Sequence, residues 1–255
     1  MALFELTGKT VVVTGAGSGI GRATALMVAS QGATVVVADI ADSAHETVTQ
    51  ITDAGGSARA AVGDISDPAV AEALIADADA DGTLWGLVNN AGVMDLFSGV
   101  AKVDDGTWER CLRVNLTAPM YLMRAAVPRM VANGGGSIVN VSSEAGIRGA
   151  AAGAAYTASK HGLIGLTRNT AYMYGKAGVR CNAIMPGGVE TNIMASIDQS
   201  KLDMEGLGVL GAVHASALRN AKPDELAALV VFLLAVEASN VNGALIANDG
   251  GWSAG

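Results

Sequence analysis

Short runs rich in β-branched residues alternate along this chain with longer amphipathic stretches, and no other property of the sequence restricts its possible folds as strongly. Strands that alternate with helices over a whole chain form a parallel sheet covered by helices on both faces. The predicted strands are nearly all apolar, as strands buried on both sides must be. They are Thr10–Val13, Thr34–Ala38, Ala58–Val62, Leu84–Val88, Ser137–Val141, Val179–Ile184 and Ala244–Ala247, and the predicted helices are residues 19–31, 42–54, 67–79, 104–131, 156–176 and 223–236.

The chain is predicted to form one doubly wound α/β domain over residues 1–255. No Pro- or Ser-rich linker, charge block or repeat of fixed period divides it. Residues 186–222 differ from the rest, because they begin with Pro186-Gly187-Gly188 and combine weak periodicity with clusters of methionine and leucine. A long segment of this kind inside a compact domain is usually functional. We therefore expect a substrate-binding loop or lid there, and call it the lid segment.

Charge, hydropathy and cysteine content exclude several classes of protein. The formal net charge is −8, from 24 acidic and 16 basic residues, and phosphate binding needs a basic face, so no nucleic-acid partner is expected. The longest apolar stretch, Leu226–Val236, is far shorter than the ~20 residues that span a bilayer, and no signal peptide is visible. Cys111 and Cys181 have no second Cys or His at metal-ligand spacing. We expect reduced cysteines, no metal, no membrane association and a cytoplasmic location.

A glycine-rich turn, Thr-Gly-Ala-Gly-Ser-Gly-Ile-Gly at residues 14–21, follows the first predicted strand and precedes a helix. Glycines let the backbone turn tightly and approach a pyrophosphate, which the free N–H groups of the helix N-terminus then bind. The strand–turn–helix context favours a dinucleotide over the alternative, a tight turn without a ligand. No Gly-Lys-Ser/Thr follows, which excludes a kinase-type phosphate loop.

Polar residues end three further predicted strands, at the carboxyl edge where open α/β sheets bind ligands. Asp39 closes the second strand, eighteen residues after Gly21. A carboxylate there accepts hydrogen bonds from the adenosine ribose and repels a 2′-phosphate; the alternatives are a solvated acid or a cap of the next helix. Asp64, after the third strand, could reach the adenine or cap the helix near Pro68. Residues 89–92, Asn-Asn-Ala-Gly, end the fourth strand.

Three residues form a candidate catalytic group. Tyr156 and Lys160 lie four residues apart in a helical pattern, which places both side chains on one helix face. A neighbouring ammonium lowers the pKa of a tyrosine from its usual value of about 10, so that the hydroxyl can act as an acid or base near neutral pH. Ser143 follows the fifth strand and could hydrogen-bond a substrate oxygen. Each residue alone also fits a purely structural role.

Taken together, these motifs resemble the classical short-chain dehydrogenase/reductase family over essentially the whole chain. The matching positions are Thr14, Gly15, Gly19 and Gly21; Asn89 to Gly92; Asn115 in the sequence Val-Asn-Leu; Ser143, Tyr156 and Lys160; Pro186, Gly187 and Thr191; and Asp249 to Gly251. The resemblance implies a Rossmann-type fold, a nicotinamide cofactor and a homotetramer. It also implies that the protein orients a cofactor that carries out the hydride transfer.

The resemblance further implies a role for each site residue. Tyr156 is expected to be the general acid/base, Ser143 to polarise the same substrate oxygen, and Lys160 to lower the pKa of Tyr156 and hold the nicotinamide ribose. Asn115 is expected to hold a water that links Lys160 to solvent. The cofactor, NAD, is expected to contact Gly15, Ser18, Gly19, Ile20, Asp39, Asp64, Ile65, Asn90, Ala91, Gly92, Tyr156, Lys160, Pro186, Gly187, Val189 and Thr191.

Pro119 lies four residues after Asn115 inside the predicted helix 104–131. Because proline has no N–H, we hypothesise that it frees the Asn115 carbonyl to hold the relay water. The alternative is that Pro119 occupies the first turn of a second helical segment, where it costs nothing.

The substrate is predicted to be a neutral, hydrophobic secondary alcohol or ketone. The lid segment supplies the apolar residues Ile193, Met194, Ile197, Leu202, Met204, Leu207, Val209 and Leu210 and few cations. Arg148 could still pair an acidic substrate. An alternative is an NADPH-dependent 3-oxoacyl-carrier reductase, a class of enzyme that the same family resemblance allows. Such a reductase is expected to have a basic residue near Ser18 or Ile40. A non-catalytic dinucleotide sensor is a third reading, against which the intact Ser, Tyr and Lys argue.

Overall fold

Seven parallel strands form one sheet in the computed structural model, which describes residues 4–255. In chain order they are β1 (Thr10–Thr14), β2 (Thr34–Asp39), β3 (Ser57–Val62), β4 (Leu84–Asn89), β5 (Gly136–Val141), β6 (Val179–Pro186) and β7 (Leu245–Asn248). Across the sheet their order is β3-β2-β1-β4-β5-β6-β7. The direction of winding reverses between β1 and β4, and ligands of open α/β sheets bind at the carboxyl ends of strands at such a reversal.

Helices cover both faces of the sheet, which confirms the predicted doubly wound α/β fold. They are α1 (Gly19–Ser30), α2 (Ser43–Asp53), α3 (Pro68–Ala78), α4 (Asp105–Leu112), α5 (Ala118–Ala132), α6 (Ala154–Tyr174), α7 (Met204–Ala215) and α8 (Pro223–Leu234). Successive strand side chains point to opposite faces. In β1, Val11 and Val13 pack with α1, α2 and α8, whereas Val12 packs with α3, α5 and α6. Both faces of the central strands are therefore apolar and buried, as the sequence predicts, whereas the edge strands β3 and β7 are partly exposed.

The strand bounds agree with the sequence to within two residues. The helix predicted over residues 104–131 is present over 105–132, but it widens into a π-helical turn at Arg113–Thr117 between α4 and α5, which the sequence does not predict. Pro119 lies in the first turn of α5, directly after the π-helical turn. The alternative interpretation of the sequence, in which Pro119 belongs to the first turn of a second helical segment, predicts this position. Pro119 still cannot donate to the Asn115 carbonyl, so the relay hypothesis stays a prediction.

The lid segment is more regular than its weak periodicity indicates. It contains α7, whose N-terminus is capped by Asp203 through hydrogen bonds of 3.1 Å from the N–H groups of Glu205 and Gly206. A parallel bridge between Val189 and Ala221 joins the two ends of the segment. The sequence pattern conceals α7 because it includes glycines, which weaken the local signal for a helix.

Three general features concern residues 4–255 as a whole. No helix in this range combines the length and apolar character needed to cross a bilayer. The same residues contain no group of three His, Cys, Asp or Glu side chains arranged to hold a metal. Cys111 and Cys181 are both buried and free.

Candidate active site

A cavity of about 640 Å³ opens at the carboxyl edge of the sheet, beside the reversal between β1 and β4. Its volume is within the range of pockets that bind small molecules. Strand ends from β1, β2, β4, β5 and β6 contribute to its wall, together with the lid segment. All sixteen residues predicted to contact the cofactor line it, and so does Ser143. Asn115 is the predicted site residue that the structure places behind the wall.

The glycine-rich turn is sharply bent and closely packed against the start of α1. Gly15 and Gly19 have φ angles of +62° and +51°, a region that side chains with a Cβ rarely adopt. A Cβ on Gly21 would lie 2.1 Å from the Gly15 carbonyl oxygen, so the turn and α1 pack too closely for any larger residue. Ser18, at the N-cap of α1, makes no side-chain hydrogen bond to the helix. The first N–H groups of α1 therefore lack a capping side chain, and they fit an anionic ligand.

Asp39 is held against the glycine-rich turn. Its carboxylate accepts hydrogen bonds of 2.8 Å from the Gly17 N–H and 3.0 Å from the Ala41 N–H. The cap position of α2 belongs to Asp42, so Asp39 is not the cap of that helix. Asp39 also lines the cavity, next to the exposed Ile40. The carboxylate thus lies in the cavity wall at the end of β2.

Arg22 is the basic residue nearest to this carboxylate in the sequence, and other groups hold it. Its guanidinium donates to the Gly17 carbonyl, to Thr47 Oγ1 at 3.1 Å and to Glu46 Oε2 at 3.1 Å. The Arg22 side chain does not line the cavity. It secures the glycine-rich turn to α2.

Asp64 lines the cavity but has local partners of its own. It accepts hydrogen bonds from the N–H and hydroxyl of Ser66, at 2.9 and 2.6 Å, and lies 3.6 Å from Arg113. The Ser66 hydroxyl is the main cause that lowers the pKa of Asp64. The cap of α3 is Asp67, which accepts from the Ala69 N–H at 2.7 Å. The predicted capping role therefore does not belong to Asp64.

Thr14 connects the ends of β1 and β4 beneath the cavity. Its hydroxyl accepts from the N–H groups of Asn90 and Ala91 at 3.0 and 3.1 Å and donates to the Val88 carbonyl at 3.2 Å. Asn90 Nδ2 returns a hydrogen bond of 2.8 Å to the Thr14 carbonyl. Two neighbouring motifs, the glycine-rich turn and Asn-Asn-Ala-Gly, are thereby fixed to each other.

Tyr156, Lys160 and Ser143 meet at the inner end of the cavity. Tyr156 and Lys160 lie one turn apart on α6, and Ser143 follows β5. Lys160 Nζ donates a hydrogen bond of 2.9 Å to the Val141 carbonyl and lies 5.5 Å from the centre of the Tyr156 ring. The structure therefore brings together the three side chains that the sequence predicts to act together.

Burial dominates the electrostatics of this group. It raises the pKa of Tyr156 to about 12, an effect that the Ser143 hydroxyl partly offsets and the Asp95 charge increases. Burial also lowers the pKa of Lys160 to about 8. The predicted lowering of the Tyr156 pKa by Lys160 is thus not seen in this structure, where desolvation of the hydroxyl is the largest effect and raises the pKa.

Asn115 joins the loop after β4 to α6. Its Oδ1 accepts from the Val93 N–H at 2.9 Å, and its Nδ2 donates to the Val93 carbonyl at 3.0 Å and to Ser159 Oγ at 3.1 Å. A Cβ built on Gly92 would lie 3.3 Å from Asn115 Oδ1 and 3.6 Å from Lys160 Nζ. Asn115 therefore lies just behind the cavity wall, near Lys160.

The outer wall of the cavity includes residues that sequence reasoning missed. Met94 and Phe97 follow β4, His214 lies on α7, and Trp252 lies near the C-terminus. The His214 ring packs edge-on against Phe97 and Trp252, with centres 6.1 and 6.0 Å apart. Its Nε2 lies 3.0 Å from the Ala151 carbonyl oxygen. The position of Met94 and Phe97 just beyond the Asn-Asn-Ala-Gly motif is the one signal that could have found them.

The lid residues divide into three groups. Ile193 and Met194 line the cavity. Ile197 and Leu210 are buried in a cluster with Tyr156, against which Leu202 and Leu207 pack. Met204 and Val209 are exposed, so the prediction that they belong to the apolar lining is wrong. Both lie on α7, whose outer face is turned away from the cluster.

Comparison with known proteins identifies the class. A family profile described as short chain dehydrogenase matches residues 9–202. The short-chain dehydrogenase/reductase olcF of Penicillium canescens is 41% identical over 255 residues, which cover 97% of this chain and 98% of that protein. The chain belongs to the short-chain dehydrogenase/reductase family.

Two solved structures extend this result to the cofactor. A protein of Beutenbergia cavernae, provisionally described as an NAD(P) dependent gluconate 5-dehydrogenase with NADP at low occupancy, has a TM-score of 0.87 and 40% identity over 99% of both chains. A short chain dehydrogenase of Mycobacterium paratuberculosis bound to NAD has a TM-score of 0.90 and 30% identity, covering 98% of this chain and 100% of that one. The chain is thus an oxidoreductase of this family, with a cavity that fits a nicotinamide dinucleotide.

Proposed function

We propose that the protein is an NAD-dependent oxidoreductase that transfers hydride between the nicotinamide and a neutral, hydrophobic secondary alcohol or ketone. The observation that carries the proposal is the position of Asp39, whose carboxylate is fixed by two N–H donors in the wall of the cavity. A fixed carboxylate accepts hydrogen bonds from both ribose hydroxyls of NAD. It opposes a 2′-phosphate by about 4 kcal/mol if the charges lie about 4 Å apart at a protein surface.

Among residues 4–255, no lysine or arginine forms an ion pair with Asp39 that would offset that repulsion. Arg22 is held by the Gly17 carbonyl, Thr47 and Glu46. Position 40 carries the uncharged Ile40, which is 71% exposed. These features support a preference for NAD over NADP.

The substrate class rests on the outer part of the cavity. Met94, Phe97, Ile193, Met194 and Trp252 make this region apolar.

The two arginines that could pair an acidic substrate have other partners. Arg148 lies 2.8 Å from Glu144 Oε1 and donates to the Gly255 carbonyl at 2.8 Å. Arg110 donates to the carbonyls of Met94 and Ser196 at 2.8 and 3.3 Å. An apolar wall without an available guanidinium supports a neutral substrate.

The proposed chemistry assigns one task to each side chain. When bound, the nicotinamide supplies the carbon that accepts or donates hydride. The Tyr156 hydroxyl transfers the proton to or from the substrate oxygen, and Ser143 hydrogen-bonds the same oxygen. Burial is the main cause that raises the pKa of Tyr156 to about 12. Positive charge brought by an oxidised nicotinamide would favour the deprotonated hydroxyl and so assist proton transfer near neutral pH.

The test is steady-state turnover with a panel of secondary alcohols, followed by the absorbance of the reduced nicotinamide. The panel should include neutral alicyclic alcohols and the anionic sugar acid gluconate, each with NAD and with NADP. We expect neutral alcohols with NAD to have the highest kcat/KM. Higher kcat/KM for gluconate would contradict the substrate class. Activity restricted to 3-oxoacyl carriers with NADPH would support the alternative reductase, and cofactor binding without any turnover would support a sensor.

We also propose that the protein is a homotetramer in the cytoplasm. Exposed apolar side chains support association: Tyr172 on α6 is 88% exposed, and Met173 and Trp108 are exposed as well. Light scattering coupled to size-exclusion chromatography measures the assembly directly. A monomer in that measurement would contradict the proposed state without affecting the proposed reaction.

A further inference from the structure

Asp95 is a buried carboxylate that neither the sequence motifs nor the cavity lining include. It lies three residues after Gly92 and is 1% exposed. Its oxygens accept hydrogen bonds from three backbone N–H groups: Phe97 at 3.0 Å, Gly153 at 3.2 Å and Tyr156 at 3.0 Å. These donors come from two segments, the loop after β4 and the start of α6.

At α6, Asp95 acts as a cap supplied from a distant part of the chain. The N-cap residue is Gly153, which has no side chain to accept a hydrogen bond from the helix. Asp95 accepts from the Tyr156 N–H, at the position that an N-cap side chain would normally satisfy. A Cβ on Gly153 would lie 2.5 Å from Asp95 Oδ2. The absence of a side chain at this cap therefore leaves the room that the carboxylate occupies.

In the loop after β4, Asp95 supports an unusual backbone. Phe97 has a φ of +62°, and it is the one non-glycine residue with positive φ in residues 4–255. Side chains remain in this region only when their surroundings fix them, and such residues concentrate at ligand sites. The Phe97 N–H is bound to Asp95, and its carbonyl oxygen would lie 2.1 Å from a Cβ on Gly206 of α7. The ring lines the outer cavity.

We propose that Asp95 is a positioning residue that fixes the substrate-facing Phe97 and the Tyr156 end of α6 relative to each other. The proposal rests on the proposed function, since it takes Tyr156 as the proton-transferring group. One carboxylate holds both segments, so a displacement of Phe97 is transmitted to the helix turn that carries Tyr156. Catalysis is sensitive to such displacements, and a misplacement of about 1 Å can reduce a rate about a hundredfold.

The charge of Asp95 provides an independent readout. It raises the pKa of Tyr156, as burial and Cys111 on α4 also do. Lys160 on α6 and His214 on α7 are the other titratable groups that line the cavity around the hydroxyl. Removing the Asp95 charge should lower the pKa of Tyr156. In alcohol oxidation, which needs the deprotonated hydroxyl, the rise of kcat/KM with pH should then occur at lower pH.

The experiment compares Asp95→Asn with the wild-type protein, using the best alcohol of the panel and NAD. We expect kcat to fall by about tenfold to a hundredfold, the midpoint of the pH profile to move to lower pH, and NADH affinity to stay unchanged. Hydrogen exchange at the Gly153 and Tyr156 amides should become faster. Asp67→Asn is the matched control, because the Asp67 carboxylate also caps a helix, α3, but has no hydrogen bond to the loop after β4 or to α6.

Gly153→Ala tests the contact between Asp95 and the start of α6 while the carboxylate is retained. It serves as the test of the positioning role if Asp95→Asn does not fold. Its Cβ should displace Asp95 and reproduce the loss of kcat. Wild-type kcat and pH profile in the folded variants, with Tyr156→Phe inactive, would overturn the positioning role alone. A Tyr156→Phe variant with wild-type turnover would overturn the proposed function instead.

Discussion

The ring and the hydroxyl of Tyr156 have separable roles. The ring packs in the cluster with Phe97 and Leu210, whereas the hydroxyl is proposed to transfer the proton. Tyr156→Phe should therefore keep the fold and the cofactor affinity but reduce kcat by about 10²–10⁴-fold. Stopped-flow or steady-state absorbance measures the loss, and the exposed Tyr172→Phe on the same helix should have no effect. Wild-type turnover in Tyr156→Phe would exclude the acid/base assignment.

Cofactor preference is also a property of single residues. Replacing Asp39 with Ala removes the carboxylate, and replacing Ile40 with Arg adds a guanidinium for a 2′-phosphate. The variant Asp39→Ala/Ile40→Arg should therefore move the ratio of kcat/KM toward NADP by at least about tenfold, since 1.4 kcal/mol corresponds to that factor. Asp42→Ala is the control, because Asp42 lies nearby without a side-chain bond to its helix. An unchanged ratio in the double variant would contradict the role of this strand end.

At the level of elements, alanine substitution of two helix glycines is expected to change the free energy of unfolding in opposite directions. A Cβ on Gly21 would lie 2.1 Å from a backbone oxygen, whereas Gly165 in α6 has nothing within 4 Å. Gly21→Ala should lower the free energy of unfolding by about 1–3 kcal/mol through overpacking and weaken NADH binding. Gly165→Ala should raise it by about 0.5–1 kcal/mol, because alanine favours the helix. Urea titration measures both, and a stabilising Gly21→Ala would show that the turn is not tightly packed.

A second element-level prediction concerns the lid segment. Arg110 on α4 joins the loop after β4 to the start of the lid through the carbonyls of Met94 and Ser196. Hydrogen bonds to charged groups contribute about 1.5–3 kcal/mol each, so Arg110→Ala should reduce kcat/KM at least about tenfold, mainly through KM. Arg129→Ala, which removes a comparable pair of contacts to Ala125 and Glu72, is the control. Equal effects of the two substitutions on KM would argue against a specific contribution of Arg110 to the lid.

The strands could be predicted from the sequence because one signal, the apolar character of a buried strand, dominates in them. The buried strands produce continuous apolar runs, and their bounds follow from them. The π-helical turn at Arg113–Thr117 and the helix α7 were missed. A helix that widens for one turn keeps its amphipathic pattern, and glycines mask the helical signal of α7.

Over the whole molecule, topology determines how much of the site the sequence can predict. Parallel strands bring Gly15, Asp39, Asn90 and Ser143 to one edge, so their convergence follows from strand order alone. Phe97, His214 and Trp252 meet through tertiary packing of distant segments, which no local pattern encodes. The partners that hold Arg22 and Asp95 are likewise visible only after folding.

The ratio of kcat/KM for NAD and NADP in the wild-type protein tests the proposed NAD-dependent activity most directly. The measurement uses one neutral secondary alcohol and follows the reduced nicotinamide with each cofactor in turn. The repulsion between Asp39 and a 2′-phosphate predicts a preference for NAD of roughly tenfold to a thousandfold. Equal or greater kcat/KM with NADP would contradict the account.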